Sequence, residues 1–78
     1  MAQISMESIK RIDKNRNFVH GKVHATYTVF ELEGKKYVQL DSYGSTDREF
    51  PGKVSQSIQL DRETAQFLVN ILRDEFNL

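Results

Sequence analysis

The sequence predicts an α+β protein with a four-stranded antiparallel β-sheet followed by one C-terminal amphipathic α-helix, in the order β-β-β-β-α. Three patterns support this prediction. Apolar and polar residues alternate along the middle of the chain, as in half-buried strands. A glycine turn separates two of the alternating runs, and apolar residues recur at helical spacing after Asp61. With 78 residues, the chain 1–78 is expected to form one domain.

The first strand is predicted over 3–13, although the apolar residues there fit neither period cleanly and a short helix is the alternative. Those residues are Ile4, Met6, Ile9 and Ile12. The polar turn 14–17 carries two positive charges and separates this segment from the next strand.

The clearest strand is predicted over 18–33, where alternation assigns side chains to two faces. One face holds Val23, Ala25, Tyr27 and Val29, and the other holds His24, Thr26, Thr28, Phe30 and Leu32. The segment Glu33-Gly34-Lys35 is expected to make a hairpin turn, with Gly34 supplying a positive φ. The return strand is predicted over 37–43, without an assignment of its buried face.

A long polar loop is predicted over 44–53, with a tight turn at Phe50-Pro51-Gly52. Loops of this length in a small domain are often functional. The residues 54–60 alternate again and predict a fourth, half-buried strand.

The helix is predicted from about Arg62 to Phe76, with Asp61 as its N-cap. Its apolar residues form two stripes. The first stripe, expected in the protomer core, comprises Ala65, Leu68, Val69, Leu72 and Phe76. The second comprises Phe67, Ile71 and Leu78. Because so short a chain has core for only one stripe, the second predicts a dimer interface, most simply with another copy of the chain.

Composition limits the kinds of function that the chain can have. Eleven basic residues balance eleven acidic ones, which argues against strong nonspecific duplex binding. The charges are polarised, however, since basic residues predominate over 1–30 and acidic residues over 61–78. Cysteine is absent, so neither a disulfide framework nor a thiolate metal site is available. With no secretory signal and no membrane-length apolar run, we expect a soluble cytoplasmic protein.

No residue set predicts catalysis or metal binding. His20 and His24 have a helical metal-ligand spacing, but on a strand they lie about 13 Å apart. Asp41, Asp47 and Glu49 could attract Mg²⁺, although solvated loop charge is the simpler interpretation. We therefore expect a protein that is not an enzyme and has no cofactor or metal.

Aromatic and basic residues alternate along the predicted sheet and its long loop. The aromatic residues are Tyr27, Phe30, Tyr37, Tyr43 and Phe50, and the basic ones are Lys22, Lys35, Lys36, Arg48 and Lys53. Exposed aromatic rings on a sheet stack on unpaired bases, while Lys and Arg follow the phosphates. The alternative is that the aromatic residues belong to the core and the lysines keep the protein soluble.

The region 29–72 resembles the PC4-like fold family, the single-stranded-DNA-binding domain of the transcriptional coactivator p15 and its bacterial and phage relatives. Four motifs carry the resemblance. They are the turn Glu33-Gly34-Lys35-Lys36, the strand 38–43, the loop exit Pro51-Gly52-Lys53 and the helix entry 57–61. The resemblance implies a curved antiparallel sheet and a homodimer formed largely through the helix.

The resemblance also implies a non-enzymatic protein that binds single-stranded nucleic acid, as an accessory factor in transcription or DNA metabolism. Tyr43 and Phe50 are expected to stack on bases. Phosphate contacts are expected from Lys22, Lys35, Lys36, Arg48 and Lys53.

Two alternatives stay open. One is a small protein-binding regulator or inhibitor of mobile-element type that uses its acidic helix and loop. A weaker one is a small catalytic or accessory subunit whose active site is completed by another chain. A positive potential over the sheet favours nucleic acid, and a mixed or negative one favours a protein partner.

Overall fold

The computed structural model describes residues 1–44 and 53–78, and it confirms an α+β class with one C-terminal helix. The elements are β1 (Ala2–Gln3), β2 (Ala25–Leu32), β3 (Lys35–Tyr43), β4 (Val54–Leu60) and α1 (Arg62–Phe76). Within the described ranges, no helix is long and apolar enough to cross a membrane.

The sheet is mixed, with the strand order β1-β4-β3-β2. β2, β3 and β4 pair antiparallel, whereas β1 pairs parallel with β4 through Ala2 with Ile58 and Gln3 with Gln59. The prediction of a purely antiparallel sheet is therefore wrong. The connection 4–24 carries the chain from β1 to β2 at the opposite edge of the sheet, so that β4 returns beside β1 and runs parallel to it.

The predicted first strand over 3–13 is also wrong beyond Gln3. The backbone N–H groups of Ser8 and Ile9 both donate to the carbonyl of Ser5, at 3.1 Å, so the chain turns there. β2 likewise begins at Ala25 rather than at residue 18. The carbonyl of His24 accepts a hydrogen bond from the backbone N–H of Tyr43 in β3. Within 1–44 and 53–78, residues 18–23 pair with no strand.

The β2–β3 hairpin closes through a two-residue turn in which both residues are left-handed. Glu33 has φ 53° and Gly34 has φ 78°. Two consecutive positive φ values match the right-handed twist of the flanking strands. The turn is tighter than predicted, so β3 starts at Lys35 and extends the hairpin by two residues.

β4 and α1 agree with the sequence prediction, and their junction is held by the N-cap. Asp61 Oδ1 accepts a 2.9 Å hydrogen bond from the backbone N–H of Thr64. That bond, together with the Thr64 hydroxyl, holds the pKa of Asp61 below its usual value. At the other end, Asn77 adopts the left-handed conformation and donates to the carbonyl of Arg73, which closes the helix.

Among the described residues, the hydrogen bond that ties the helix to the sheet region lies at its beginning. Thr64 is fully buried, and its hydroxyl lies 3.5 Å from the carbonyl oxygen of Ile4, which follows β1. Every residue from Val69 to Leu78 is exposed. The first stripe is therefore not a protomer core, since Leu72 is 46 % exposed and Phe76 is 68 % exposed.

The described residues contain no buried hydrophobic side chain. The chain exposes 7530 Å² of surface, whereas a folded monomer of 9.1 kDa is expected to expose about 4,900 Å². Its radius of gyration is 14.7 Å, against about 11.5 Å for a compact domain of this length. Apolar surface that a globular protein buries is therefore open in the single chain.

The hairpin geometry predicts that Glu33→Asn stabilises the protein. A left-handed conformation costs most residues about 1–2 kcal/mol, and asparagine tolerates it. We expect the free energy of unfolding to rise by roughly 1 kcal/mol in urea titrations at a fixed protein concentration. Glu31→Asn makes the same replacement in an extended strand and should give no gain. Equal changes in the free energy of unfolding at both positions would contradict the left-handed conformation assigned to Glu33.

Candidate functional site

The pairing register divides the sheet into two faces, because residues directly opposite each other on neighbouring strands lie on the same side. The polar face carries Gln3, Thr26, Thr28, Phe30, Leu32, Lys35, Tyr37, Gln39, Asp41, Tyr43, Val54, Ser57 and Gln59. The apolar face carries mostly apolar residues, with the charged pair Glu31 and Lys36 near the hairpin and the polar pair Ser42 and Gln56 near the other end. Its remaining residues are Ala2, Ala25, Tyr27, Val29, Val38, Leu40, Ile58 and Leu60. The two faces therefore present different chemistry to any partner.

Asp41 lies at the centre of a hydrogen-bond network on the polar face. Its Oδ1 accepts from the Ser57 hydroxyl and, at 3.0 Å, from Gln39 Nε2. Gln39 Oε1 in turn accepts from Gln59 Nε2 at 2.8 Å. Because a carboxylate only accepts, it fixes the orientation of the first amide, which then fixes the second. The negative charge thus orients side chains on two strands.

The amide side chains form a row across the sheet. Gln3 pairs with Gln59, and Gln59 pairs with Gln39, so the amide row crosses β1, β4 and β3, with Thr28 opposite Gln39 on β2. A cavity of 270 Å³ opens beside the row. It is lined by Met1, Ala2, Gln3, Gln39, Ser57 and Gln59. Donors and acceptors of the row therefore face an opening on the polar face.

Aromatic pairs lie on both sides of this network. The rings of Phe30 and Tyr37 stack with centroids 5.4 Å apart. At the other end, the rings of His24 and Tyr43 lie 5.2 Å apart, and Tyr43 Oη is 3.1 Å from Thr26 Oγ1. Tyr37 and Tyr43 lie on the same strand, about 20 Å apart. The polar face thus offers two aromatic contacts with hydrogen-bonding groups between them.

The basic residues predicted to contact phosphates lie at opposite ends of the sheet. Lys22 precedes β2 and Lys53 precedes β4, at the end where Tyr43 lies. Lys35 begins β3 at the hairpin end on the polar face, whereas its neighbour Lys36 belongs to the opposite face. The predicted contacts Arg48 and Phe50 lie outside the described residues.

The described part of the polar face carries mixed charge. Lys35 supplies one cation at its edge and Asp41 one anion at its centre. Mixed charge favours a protein partner more than nucleic acid, so contact with nucleic acid on this face would depend on its aromatic and hydrogen-bonding groups. A ligand on this face meets hydrogen-bonding groups and aromatic rings at the centre and lysines only at the rim.

The predicted dimer residues differ in their surroundings. Phe67 and Ile71 line a groove together with Ile9 and Ile12 from the chain's own N-terminal segment. Leu78 is 81 % exposed at the end of the chain. The assignment of these three helix residues to an interface stays a prediction. The largest open apolar surface of the helix belongs to its other stripe, at Val69, Leu72 and Phe76.

The two histidines have different surroundings. His20 lies in the irregular segment before β2, while His24 contacts Tyr43. In residues 1–44 and 53–78, no group of three His, Cys, Asp or Glu side chains is placed to hold a metal ion.

Sequence reasoning missed the amide row. Gln39, Ser57 and Gln59 were polar positions of alternating strands, and only the pairing register brings them beside Asp41. The available signal was the shared parity of polar residues on two strands, which places them on one face once the pairing is known. Asp41 itself was considered only as part of a loop-side acidic group.

Comparison of the chain with protein-family models, curated proteins and solved structures found no match. The resemblance of 29–72 to the PC4-like family therefore stays a prediction. The candidate site is therefore inferred from the geometry of its own residues.

The network predicts that Ser57→Ala destabilises the protein. Ser57 is only 5 % exposed and its hydroxyl donates to the central carboxylate. Loss of a hydrogen bond to a charged group should lower the free energy of unfolding by about 1–3 kcal/mol. Ser55→Ala changes an exposed serine of the same strand and should have little effect. Urea unfolding compares the two variants, and equal losses would contradict a role for the network.

Proposed function

We propose that the chain forms a homodimer that binds single-stranded nucleic acid on the polar face and catalyses no reaction. The supporting observation is the arrangement of two aromatic pairs around a hydrogen-bonded network on one face of a sheet. Unpaired bases offer flat rings and hydrogen-bonding edges, which are the two features that this face can contact. Duplex DNA hides its base faces and fits this surface poorly.

The charges favour a binding mode in which bases face the sheet and phosphates point outward. Asp41 would repel a phosphate placed over the centre of the polar face. Lys22, Lys53 and Lys35 lie at its ends and can reach phosphates at the rim. In this mode Tyr43 and the Phe30–Tyr37 pair contact bases, while the lysines contribute a salt-dependent attraction.

The dimer accounts for the open apolar surface. The single chain exposes roughly 2,600 Å² more than a folded monomer of its mass, and a standard interface buries about 800 Å² per partner. The excess includes the extended N-terminal segment, the apolar face and the open stripe of α1. A second copy supplies the same two surfaces, so the helix of one protomer can cover the apolar face of the other. Phe67, Ile71 and Leu78 lie on the other stripe and would make a separate contact with the partner copy, beside the groove that Phe67 and Ile71 line.

Protein binding is the second candidate function. The mixed charge of the polar face and the exposed Asp74 and Glu75 near the end of α1 favour it. These acidic residues could meet a basic protein surface. A dimer that binds no single strand would favour this candidate.

Fluorescence anisotropy with labelled single-stranded and duplex oligonucleotides tests the nucleic-acid proposal. We expect tighter binding to the single strand, and weakening between about 50 mM and 200 mM salt. Tyr37→Ala should weaken binding by about 5- to 100-fold, because a stacked base contributes about 1–3 kcal/mol. Phe18→Ala removes an exposed aromatic residue outside the sheet and serves as the matched control. The absence of binding, or an affinity that does not change with salt concentration, would contradict the proposal.

Light scattering tests the dimer. Leu72→Asp places a charge in the open stripe of the helix, and we expect it to shift the protein to monomers that unfold readily. Asn70→Asp adds the same charge to the same helix at a position off that stripe. It should leave the mass of the wild-type dimer unchanged. A dimer that survives Leu72→Asp would place the interface elsewhere.

A further inference from the structure

We propose that Asp41 makes the polar face selective among bases, with guanine preferred and thymine or uracil disfavoured. This inference rests on the proposed function and adds to it a preference that stacking alone does not supply. Aromatic stacking tolerates every base, because every base has a flat ring. Selectivity requires a fixed donor or acceptor at a base edge.

Asp41 is held in place, and one of its oxygens has spare accepting capacity. Oδ1 already accepts from Ser57 and Gln39. Oδ2 has a single longer contact among the described residues, 3.3 Å from Gln39 Nε2. A carboxylate oxygen can accept more than one hydrogen bond. Asp41 is half-buried, so a base edge that reaches Oδ2 meets an acceptor whose position is already fixed.

The neighbouring amides are fixed in the same sense. Gln39 points its Nε2 toward Asp41 and its Oε1 toward Gln59. Gln59 donates a hydrogen bond to that Oε1 from its own Nε2. The charge on Asp41 therefore sets the direction of the whole row. Neutralising that charge allows the amides to flip, since an uncharged partner could donate as well as accept.

The four bases respond differently to a fixed acceptor. Guanine presents two adjacent donors, its N1–H and its exocyclic amino group, and can approach a carboxylate without repulsion. Thymine and uracil present one N–H between two carbonyl oxygens, which the carboxylate repels. Adenine and cytosine pair one amino donor with a ring acceptor and fall between these limits. The expected order of affinity is guanine first, then adenine and cytosine, then thymine or uracil.

Anisotropy titrations with two labelled strands test this order. One strand contains only thymine, and the other carries a single central guanine. Limiting the strand to one guanine prevents quadruplex formation. We expect the wild-type protein to bind the guanine strand about tenfold more tightly, in line with one well-placed base contact.

Asp41→Asn should change both the affinity for the thymine strand and the ratio of the two affinities. It should raise affinity for the thymine strand, because a negative charge leaves the binding face, and bring the ratio of the two affinities close to one. A purely structural defect would weaken the binding of both oligonucleotides together. Glu31→Gln is the matched control, since it removes an acidic charge from the same sheet on the opposite face. That variant should keep the wild-type ratio.

Ser57→Ala keeps the carboxylate and frees part of Oδ1, so it should retain the guanine preference even if the fold is less stable. Equal binding of both strands by the wild-type protein would overturn the inference and leave the proposed function standing. An unchanged ratio in Asp41→Asn would also overturn it. If neither strand binds at all, the proposed function fails and this inference fails with it.

Discussion

The apolar face of the sheet and the apolar side of α1 do not cover each other within one chain, and this constraint shapes the account of the whole protein. A small antiparallel-rich sheet with one helix usually gains its stability by laying the helix across the sheet. Here the helix is fastened at its first turn, where Asp61 caps it and Thr64 reaches Ile4. Beyond that turn it leaves the sheet, and its side chains stay exposed from Val69 onward.

In the proposed account, the two faces of the sheet have separate roles. The apolar face and the open helix stripe provide the surface that a second copy can bury, which leaves the polar face free to contact a ligand. The polar face is organised by hydrogen bonds rather than by packing. Asp41 orients Gln39, and Gln39 orients Gln59. If this face binds a ligand as proposed, its side chains are already oriented, which reduces the entropy lost on binding.

The sequence predicted best those elements whose signals are local. The alternation over 54–60, the capped helix from Arg62 and the glycine turn at Gly34 each depend on neighbouring residues, and the structure has them where expected. The N-terminal segment was misjudged because its pairing is non-local. Only two residues pair there, and they pair with a strand more than fifty positions later.

The candidate site likewise combines features with local sequence signals and features that depend on non-local pairing. Tyr43 and the stacked pair of Phe30 and Tyr37 could be identified as aromatic residues of strands, but alternation gives faces only strand by strand. The amide row and its link to Asp41 depend on the register between β3 and β4. Register follows from long-range pairing, which a single sequence does not reveal. The helix stripes were likewise identified, but which of them stays open depends on how the helix leaves the sheet.

The most direct test of the account is thermal unfolding of the wild-type protein measured over about a hundredfold range of protein concentration. If a second copy completes the core that the single chain lacks, folding and association are coupled, and the Tm must rise with concentration. A Tm that rises in this way supports the account. A cooperative transition whose Tm is the same at every concentration would contradict it, because the single chain would then be stable without a partner.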